Sequence, residues 1–258
     1  MTPSFSRPLQ GAVALVTGGA KRVGKTISAT LAAAEIKVAI HYNTSRTAAQ
    51  NLAAEISKNG TEADTFQADF SVNDDVVQLV DKVVARFGRI DFLINNAAEY
   101  YPTPLGATTE TEWDKLFGVN LKSAYFCAQQ AAGYMKKNGS GKIVNIADVS
   151  AYSPWPDYIP YCITKAGLIA MTKGMAKALA PDILVNAIAS GTVLHAPNTD
   201  PEKQKFIEEN TLLKRVGSPV NIAEAALFLL KADYITGAVI PVDGGAHLKQ
   251  YKHENNLK

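Results

Sequence analysis

Tyr161 and Lys165 are spaced so that they can move a proton together. They lie four residues apart in Tyr161-Cys162-Ile163-Thr164-Lys165, which places both side chains on one face of a helix. A tyrosine phenol has a pKa of about 10, so it exchanges protons slowly at neutral pH unless a neighbour assists it. A lysine ammonium nearby favours the tyrosinate and lowers that pKa. Tyr-x-x-x-Lys alone is common and usually structural, so its place in the fold decides its meaning.

A glycine-rich turn near the N-terminus can hold a phosphate. The segment Thr17–Gly24 reads TGGAKRVG and lies between an apolar run and a helical pattern. Glycines let the backbone approach a pyrophosphate, and a helix N-terminus presents amide donors to the anion. We therefore predict that Gly18, Lys21, Arg22, Val23 and Gly24 bind a dinucleotide at its pyrophosphate.

The end of the second apolar run indicates which dinucleotide binds. A site for NAD usually carries an acid here, about 20 residues beyond the glycines, which binds the ribose hydroxyls. The run is HYNTSR instead, without an acid, whereas Arg22, Ser45 and Arg46 can bind a 2′-phosphate. Solvated surface residues are the alternative, but a missing acid beside clustered bases favours NADPH. The residues assigned to its adenosine half are His41, Tyr42, Asn43, Ser45, Arg46, Asp69, Phe70, Asn96, Ala97 and Ala98.

Strand-length apolar runs alternate with helical patterns along almost the whole chain. Several runs, such as AVALVT and KIVNIA, are nearly all apolar, as in strands buried on both faces. The alternation predicts an α/β fold: a doubly wound (Rossmann) seven-stranded parallel sheet with helices on both faces, in one domain over residues 1–258. The predicted strands are Ala12–Thr17, Lys37–His41, Glu62–Ala68, Ile90–Asn95, Lys142–Ala147, Leu184–Ile188 and Ala238–Val242. The predicted helices are Lys25–Ala34, Thr47–Lys58, Asp74–Phe87, Trp113–Lys136, Tyr161–Leu179 and Asn221–Leu230.

Residues 190–216 break this rhythm. They are polar, include two prolines and follow the sixth predicted strand, at the edge of the sheet where ligands bind. We expect a loop with a short helix that closes over a substrate; an ordinary surface insertion is the alternative. Gly191 and Val193, near the start of the loop, are assigned to the cofactor.

Composition narrows the classes of partner. The formal net charge of +2 gives no strong field for nucleic acid or an anionic membrane. The two cysteines, Cys127 and Cys162, are too few for a disulfide scaffold and lack the spacing of metal ligands. No run approaches about 18 apolar residues, and the N-terminus lacks an export signal. We therefore expect a cytoplasmic protein that binds a small molecule but no metal, nucleic acid or membrane.

Several motifs occur together in the order of one family. TGGAKRVG, Asp69, NNAA, Asn120 in GVNLKSAYF, YCITK and ITGAVIPVDGG resemble the short-chain dehydrogenase/reductase family over nearly the whole chain. The resemblance implies that Tyr161 is the proton donor and that Lys165 also binds the nicotinamide ribose. It implies that Asn120 holds a water that links Lys165 to bulk solvent. It further implies a homotetramer built through the long helices and the last strand.

Three residues depart from the usual family pattern. Arg22 replaces the middle glycine of the turn, Asp148 replaces the catalytic serine thirteen positions before Tyr161, and Ser190-Gly191 replaces Pro-Gly. Arg22 with Asp148 resembles the pteridine reductases, including the bacterial dihydromonapterin reductases. NNAAEYYPTPL is similar to their active-site wall, with Tyr100 at the position of an aromatic that stacks on the pterin. The match is partial, because Ala98 stands where those enzymes can carry a hydroxyl residue.

The sequence therefore predicts an NADPH-dependent reductase that transfers hydride to a dihydropterin C=N. Asp148, Tyr161, Lys165 and Asn120 are the predicted catalytic residues, with Asp148 neutral or sharing a proton. Arg22, Tyr100, Asp148 and Tyr161 are the predicted substrate contacts. A polar loop role for Asp148 stays open, as does either pocket or core packing for Trp155 and Tyr158. Two other functions also remain: a carbonyl reductase such as a 3-oxoacyl-thioester reductase, and a non-catalytic NADPH-binding regulator.

Overall fold

The computed structural model describes residues 9–195 and 199–248, and within these ranges seven strands form one parallel sheet. The strands cross the sheet in the order β3-β2-β1-β4-β5-β6-β7. This arrangement confirms the doubly wound fold expected from the sequence. The strands are β1 Val13–Val16, β2 Lys37–Tyr42, β3 Ala63–Gln67, β4 Phe92–Asn95, β5 Gly141–Asp148, β6 Ile183–Ser190 and β7 Val239–Val242.

Helices connect the strands and cover both faces of the sheet. Each helix or strand expected from the sequence is present with its ends shifted by a few residues, except one helix that is interrupted. The helices in the described ranges are α1 Arg22–Ala33, α2 Arg46–Lys58, α3 Asn73–Phe87, α4 Glu110–Phe117, α5 Ser123–Lys137, α6 Ile159–Leu179, α7 Pro201–Glu209 and α8 Pro219–Lys231.

The interrupted helix is the one predicted over Trp113–Lys136. In the structure it consists of α4, a π-helical turn over Gly118–Lys122, and α5. The amide of Ser123 donates to the carbonyl of Gly118, five residues back, so the turn holds one residue more than an α-helical turn. Apolar spacing continues on both sides of the turn, which is why the sequence predicts a single helix.

Alternate residues of β1 face two different cores. Ala14 and Val16 pack toward α1 and α8, whereas Val13 and Leu15 pack toward α3 and α5. All four side chains are buried, as the continuous apolar run predicts for a parallel strand. Full burial of one large aliphatic side chain stabilises a fold by about 1.5–3 kcal/mol, so these two layers fix the sheet firmly.

The candidate site lies where the order of the sheet reverses. β1 pairs with β2 on one side and with β4 on the other, and the crevice beyond the carboxyl ends of such strands is the usual ligand site. The glycine turn follows β1, Asn96 follows β4, and Asp148 ends β5 opposite Ser190 at the end of β6. The fold therefore gathers the predicted chemistry at one edge.

The segment predicted as a substrate loop carries the expected short helix. α7 begins after Asp200, whose side chain caps it by accepting from the amide of Glu202. After the helix, the amide of Leu213 donates to the carbonyl of Gly244, which ties the loop to the segment after β7. Residues 196–198 of the predicted loop lie outside the described residues. Closure over a substrate remains a prediction.

The described residues contain neither a membrane-spanning helix nor a cluster of metal-ligating side chains. Every helix there is too short or too polar to span a lipid bilayer. No group of three or more His, Cys, Asp and Glu side chains there is placed to hold a metal ion.

Candidate active site

Asp148 and Tyr161 are joined directly at the carboxyl edge of the sheet. The hydroxyl of Tyr161, in the first turn of α6, donates to Oδ2 of Asp148 across 3.1 Å. The other carboxylate oxygen, Oδ1, accepts from the amide of Ser150 at 2.7 Å. Asp148 thus caps the short helical turn that follows β5 and is held in a fixed orientation. This hydrogen bond to the candidate proton donor argues against the alternative that Asp148 is an inert polar side chain of a loop.

Burial sets the charge state of this pair. Removal from water raises the pKa of the Asp148 carboxyl group, even though the amide of Ser150 and the charge of Lys165 act in the opposite direction. Burial and the nearby Asp148 carboxyl raise the pKa of Tyr161 well above its ordinary value. Both shifts favour protons on the pair, in the direction of the predicted neutral or proton-sharing Asp148.

The pKa of Tyr161 is not lowered as the sequence predicts. We expected the ammonium of Lys165 to lower this pKa, but burial and Asp148 dominate and the pKa is raised. The Lys165 Nζ lies 5.5 Å from the centre of the Tyr161 ring and donates to the carbonyl of Ile146 at 2.9 Å. Burial lowers the pKa of Lys165 itself to about 8, so it is still mostly protonated at neutral pH. The net shift of the Tyr161 pKa is therefore opposite to the one predicted, because burial and Asp148 determine it.

Asn120 lies in the π-helical turn and is almost completely buried. Its Oδ1 accepts from the amide of Glu99 at 2.7 Å. Its Nδ2 donates to the carbonyl of Glu99 at 3.0 Å and to Oγ1 of Thr164 at 3.3 Å. These bonds use both amide hydrogens and one of two acceptor positions on Oδ1, so one position remains for a water. That water stays a prediction from the family resemblance.

Three aromatic rings, those of Tyr100, Trp155 and Tyr158, form a cluster with the ring of Tyr161. Tyr100 stacks on Tyr158 with ring centres 4.7 Å apart and planes 5° apart. Tyr100 also meets Tyr161 edge-on at 5.0 Å, and Trp155 packs on Tyr161 at 6.4 Å with planes 13° apart. One face of Tyr100 is thus covered by Tyr158, while 48% of the residue remains exposed. Burial and Tyr158 raise the pKa of Tyr100, so it stays a neutral phenol.

The sequence left open whether Trp155 and Tyr158 line the pocket or pack in the core, and both lie in the aromatic cluster beside Tyr161. Their three-residue spacing in Trp155-Pro156-Asp157-Tyr158, just before Tyr161, is the signal that could have identified them. Proline at the start of a short helical turn fixes that segment against α6.

Two positions of the glycine turn, Gly19 and Gly24, have no room for a side chain. A Cβ on Gly19 would lie 2.8 Å from the carbonyl oxygen of Val16, and one on Gly24 would overlap the carbonyl of Gly18. Asn96 holds the turn in place by donating from Nδ2 to the carbonyl of Thr17 at 2.8 Å. The result is a close backbone surface at the N-terminus of α1, which suits an anionic ligand.

Arg22 adopts the conformation that glycine usually supplies. Its φ is 50°, in the left-handed region, which costs a side-chain-bearing residue about 1–2 kcal/mol. Its Nη2 donates to the carbonyl of His195 at 3.4 Å, so the side chain reaches from the glycine turn to the start of the substrate loop. The arginine therefore keeps the family's backbone path and adds a charge between the two predicted sites.

The adenosine end divides into buried and exposed residues. His41, Tyr42 and Phe70 are buried, so their side chains support the site from beneath, although contacts through their backbone groups remain predicted. Arg46 is exposed at the start of α2, and its Nε donates to the hydroxyl of Tyr42 at 3.3 Å. Asp69 accepts from the amide and hydroxyl of Ser71, and these bonds lower its pKa. An ionised carboxylate therefore stands at the end of β3.

The remaining assigned residues lie along the same edge. Gly191 packs against Asp243, since a Cβ there would lie 2.6 Å from the Asp243 Cα. Lys21 and Ser45 are the cap residues of α1 and α2, and neither side chain caps its helix. Exposed or half-buried positions are taken by Lys21, Val23, Asn43, Ser45, Asn96, Ala97 and Ala98, and Val193 is buried.

The chain is similar to a protein-family model, to reductases of known name and to solved structures. A protein-family model described as enoyl-(acyl carrier protein) reductase matches residues 18–247. The chain is 35% identical over 241 residues to the 3-oxoacyl-[acyl-carrier-protein] reductase FabG of Staphylococcus epidermidis, an alignment that covers 91% of this chain and 98% of that relative.

Solved structures share the fold over almost the whole chain. The FolM alternative dihydrofolate reductase 1 from Brucella canis, complexed with NADP, matches with a TM-score of 0.91 and 33% identity, covering 97% of this chain and 99% of that one. A mutant short-chain dehydrogenase/reductase from Serratia marcescens matches with a TM-score of 0.89 and 31% identity, covering 93% and 100%. The names of these proteins describe different substrates, so the substrate has to be argued from the site residues.

Proposed function

The chain belongs to the short-chain dehydrogenase/reductase family, and we propose that it is an NADPH-dependent reductase of a dihydropterin C=N bond. The observation that carries the proposal is the hydrogen bond between Tyr161 and Asp148. The usual serine at this position could orient the phenol, whereas a carboxyl group with a raised pKa can also supply a proton. Reduction of an imine needs that proton at nitrogen.

The residues present fit NADPH. Both α1 and α2 begin without an acid in the first turn and without a side-chain cap, so their amides are available to phosphate groups. Arg46 keeps both terminal nitrogens for a 2′-phosphate while Tyr42 holds its Nε. Asp69 uses Oδ1 for Ser71, which leaves Oδ2 for the adenine amino group. The similar FolM protein was solved with NADP, which supports this assignment.

The protein's own groups handle the proton. NADPH, when bound, supplies the hydride that forms the new C–H bond. Tyr161 gives its hydroxyl proton to the substrate nitrogen, and a protonated Asp148 restores it through the 3.1 Å hydrogen bond. Lys165 uses one N–H on the Ile146 carbonyl, and its other N–H groups are available to ribose hydroxyls. Asn120 fixes the backbone at Glu99, next to Tyr100.

The aromatic cluster suits a flat substrate. A pterin has two apolar faces and a polar edge, so its site needs a stacking surface and a few edge contacts. The uncovered side of Tyr100 supplies the surface, and Tyr158 behind it holds the ring in position. Arg22, which already bridges toward His195, is placed to donate to a ring oxygen.

A 3-oxoacyl-thioester reductase is the second candidate. The identity to FabG supports it, and Tyr161, Lys165 and Asn120 would serve a ketone equally well. That chemistry has no use for the carboxyl group of Asp148 or the charge of Arg22. A non-catalytic NADPH-binding regulator would not need the buried Tyr161–Asp148 pair.

The experiment that separates these functions is steady-state NADPH oxidation on one preparation. The two substrates are a dihydropterin, such as dihydrobiopterin, and acetoacetyl-coenzyme A. The proposal predicts a kcat/KM for the dihydropterin well above that for the thioester. A faster thioester reaction would contradict it, and no turnover of either would favour the regulator.

The homotetramer also stays a prediction. Exposed apolar side chains on two faces support it: Trp113, Tyr125 and Ile163 on α4, α5 and α6, and Val220 and Phe228 on α8. β7 is an edge strand, which leaves that side of the sheet open to a second copy.

A further inference from the structure

The side chain of His41 joins the three strand ends that meet at the adenosine half of the site. Its Nδ1 accepts from the amide of Gly18 at 3.0 Å, in the turn after β1. Its Nε2 donates to the carbonyl of Ala68 at 3.1 Å, just beyond β3. The ring stacks on Phe70 at 4.2 Å with planes 8° apart, and 2% of the residue is exposed. No cofactor group can reach a ring that is covered in this way.

The two bonds require one form of the ring. An amide can only donate, so Nδ1 must carry a lone pair, and a carbonyl can only accept, so Nε2 must carry the hydrogen. A charged imidazolium has a hydrogen on both nitrogens and cannot accept from Gly18. Burial agrees with this, since it lowers the pKa of His41 to about 4.

The backbone of His41 adds a second bond to the same turn. The amide of Gly19 donates to the carbonyl of His41 at 2.9 Å. Two consecutive amides of the glycine turn are therefore bonded to a residue of β2. Anion binding then falls to the later amides at the start of α1, and their direction depends on where His41 holds the turn.

We propose that His41 is a positioning residue that sets the glycine turn against the adenosine pocket without touching the cofactor. The inference rests on the proposed NADPH site. A ligand that spans both the turn and the pocket depends on their relative position, whereas a ligand in the pocket alone does not. This difference separates positioning from a general loss of stability.

Two substitutions remove the bonds one at a time. In His41→Asn the amide oxygen can take the place of Nδ1 and keep the bond to Gly18. In His41→Gln the longer amide can reach Ala68 but leaves the Gly18 amide without its acceptor. A buried donor without a partner costs enough to change an equilibrium by about tenfold or more, and a turn that samples other conformations binds more weakly by the same factor.

The test measures binding by calorimetry with two probes, NADPH and 2′-AMP, which occupies the adenosine pocket but lacks the pyrophosphate. For His41→Gln we expect the Kd of NADPH to rise about tenfold or more, with the Kd of 2′-AMP changing less than threefold. For His41→Asn both constants should stay within about threefold of the unmodified protein. Circular dichroism checks that each variant is folded.

The outcomes are distinct. Unchanged NADPH binding by His41→Gln, or an equal loss for both probes, would overturn the positioning role and leave the cofactor assignment intact. If His41→Gln does not fold, His41→Asn decides: binding of NADPH near that of the unmodified protein supports the role, and a loss of tenfold overturns it. Failure of the unmodified protein to bind NADPH would overturn the proposed function and this inference together.

Discussion

The hydroxyl of Tyr161 and the carboxyl group of Asp148 share a hydrogen bond of 3.1 Å in a place where burial raises the pKa of both. An ordinary carboxylate beside a phenol would oppose ionisation of the phenol by its charge. Here the carboxyl group holds its proton more strongly than in water, so the pair can store the proton that the reaction consumes. Each of the first two predictions tests one member of this pair.

Replacement of Tyr161 by Phe should remove the proton donor and little else. General acid catalysis contributes about 10²–10⁴-fold, so kcat should fall by that factor while the Kd of NADPH stays nearly constant. Lys165→Ala should damage both quantities, because its ammonium is proposed to bind the ribose. Steady-state kinetics and fluorescence titration give the two numbers. A loss of kcat under tenfold in Tyr161→Phe would exclude Tyr161 as the donor.

Asp148 should give the reaction a pH dependence. Its raised pKa means that the protonated form, which is the active one, is lost as the pH rises through that pKa. The kcat for the dihydropterin should therefore be highest in acid and fall as the pH rises, and Asp148→Ser should abolish this fall. Asp157→Ser is the control, since Asp157 is exposed on the same segment. A kcat independent of pH in the unmodified protein would contradict a relay through Asp148.

Arg46 should determine the preference for NADPH over NADH. A charge-assisted phosphate contact is worth about 1.5–3 kcal/mol, so Arg46→Ala should weaken NADPH about tenfold to more than a hundredfold and leave NADH unchanged. Lys58→Ala is a matched control, because Lys58 is an exposed cation at the other end of α2. Binding constants for both nucleotides provide the comparison. Equal constants in the unmodified protein would show that the 2′-phosphate is not recognised.

Tyr100 should matter for the substrate and not for the cofactor. Aromatic stacking contributes about 0.5–1.5 kcal/mol beyond burial, so Tyr100→Ala should raise the KM for a dihydropterin about two- to tenfold. The Kd of NADPH should not change. Tyr234→Ala serves as the control, as Tyr234 is 99% exposed. An unchanged KM would mean that the pterin binds elsewhere.

His41 should make the fold sensitive to acid. Its pKa is about 4 in the folded protein and about 6.5 when unfolded, so the unfolded chain binds more protons between these values. Its contribution to stability is therefore present above about pH 6.5 and lost as the pH falls toward 4, at up to about 1.4 kcal/mol per pH unit. Thermal unfolding should show this slope, and His41→Asn should flatten it. The same slope in His41→Asn as in the unmodified protein would rule out His41 as its source.

The sequence predicted the fold and the grouping of the site well because both depend on local patterns. Apolar runs of strand length, alternating with helical spacing, specify a parallel sheet, and the sheet brings Gly18, Asp148 and Tyr161 to one edge. The charge states of the site residues were harder to predict from the sequence. The pKa of Tyr161 depends on the burial created by Trp155 and Tyr158 and on which oxygen of Asp148 faces it, and neither appears in the spacing of residues.

The directions of the side chains between His41 and Arg46 could not be predicted from the sequence either. The run from His41 to Arg46 was taken as one patch of cofactor contacts, yet alternate residues of a strand point to opposite faces. His41 and Tyr42 at the end of β2 are both buried, and the exposed base, Arg46, lies on the helix that follows. The hydrogen-bond partners of the His41 ring, Gly18 and Ala68, come from distant segments.

The π-helical turn at Gly118–Lys122 also determines the orientation of the helix that follows it. An α-helix advances by about 100° per residue, so one residue added to an unbroken α-helix would turn everything beyond it by that angle. The wider π-helical turn takes up this residue, because its hydrogen bond spans five residues instead of four, so α5 follows α4 without that rotation. Removal of a single residue from this turn would restore an unbroken α-helix and displace Asn120, which lies in the turn, from Glu99 and Thr164. A regular α-helix that kept every residue would instead turn the apolar face of α5 by about 100° relative to α4. The one additional residue therefore provides the wide turn that holds Asn120 in the site, while α5 keeps its packing in the core.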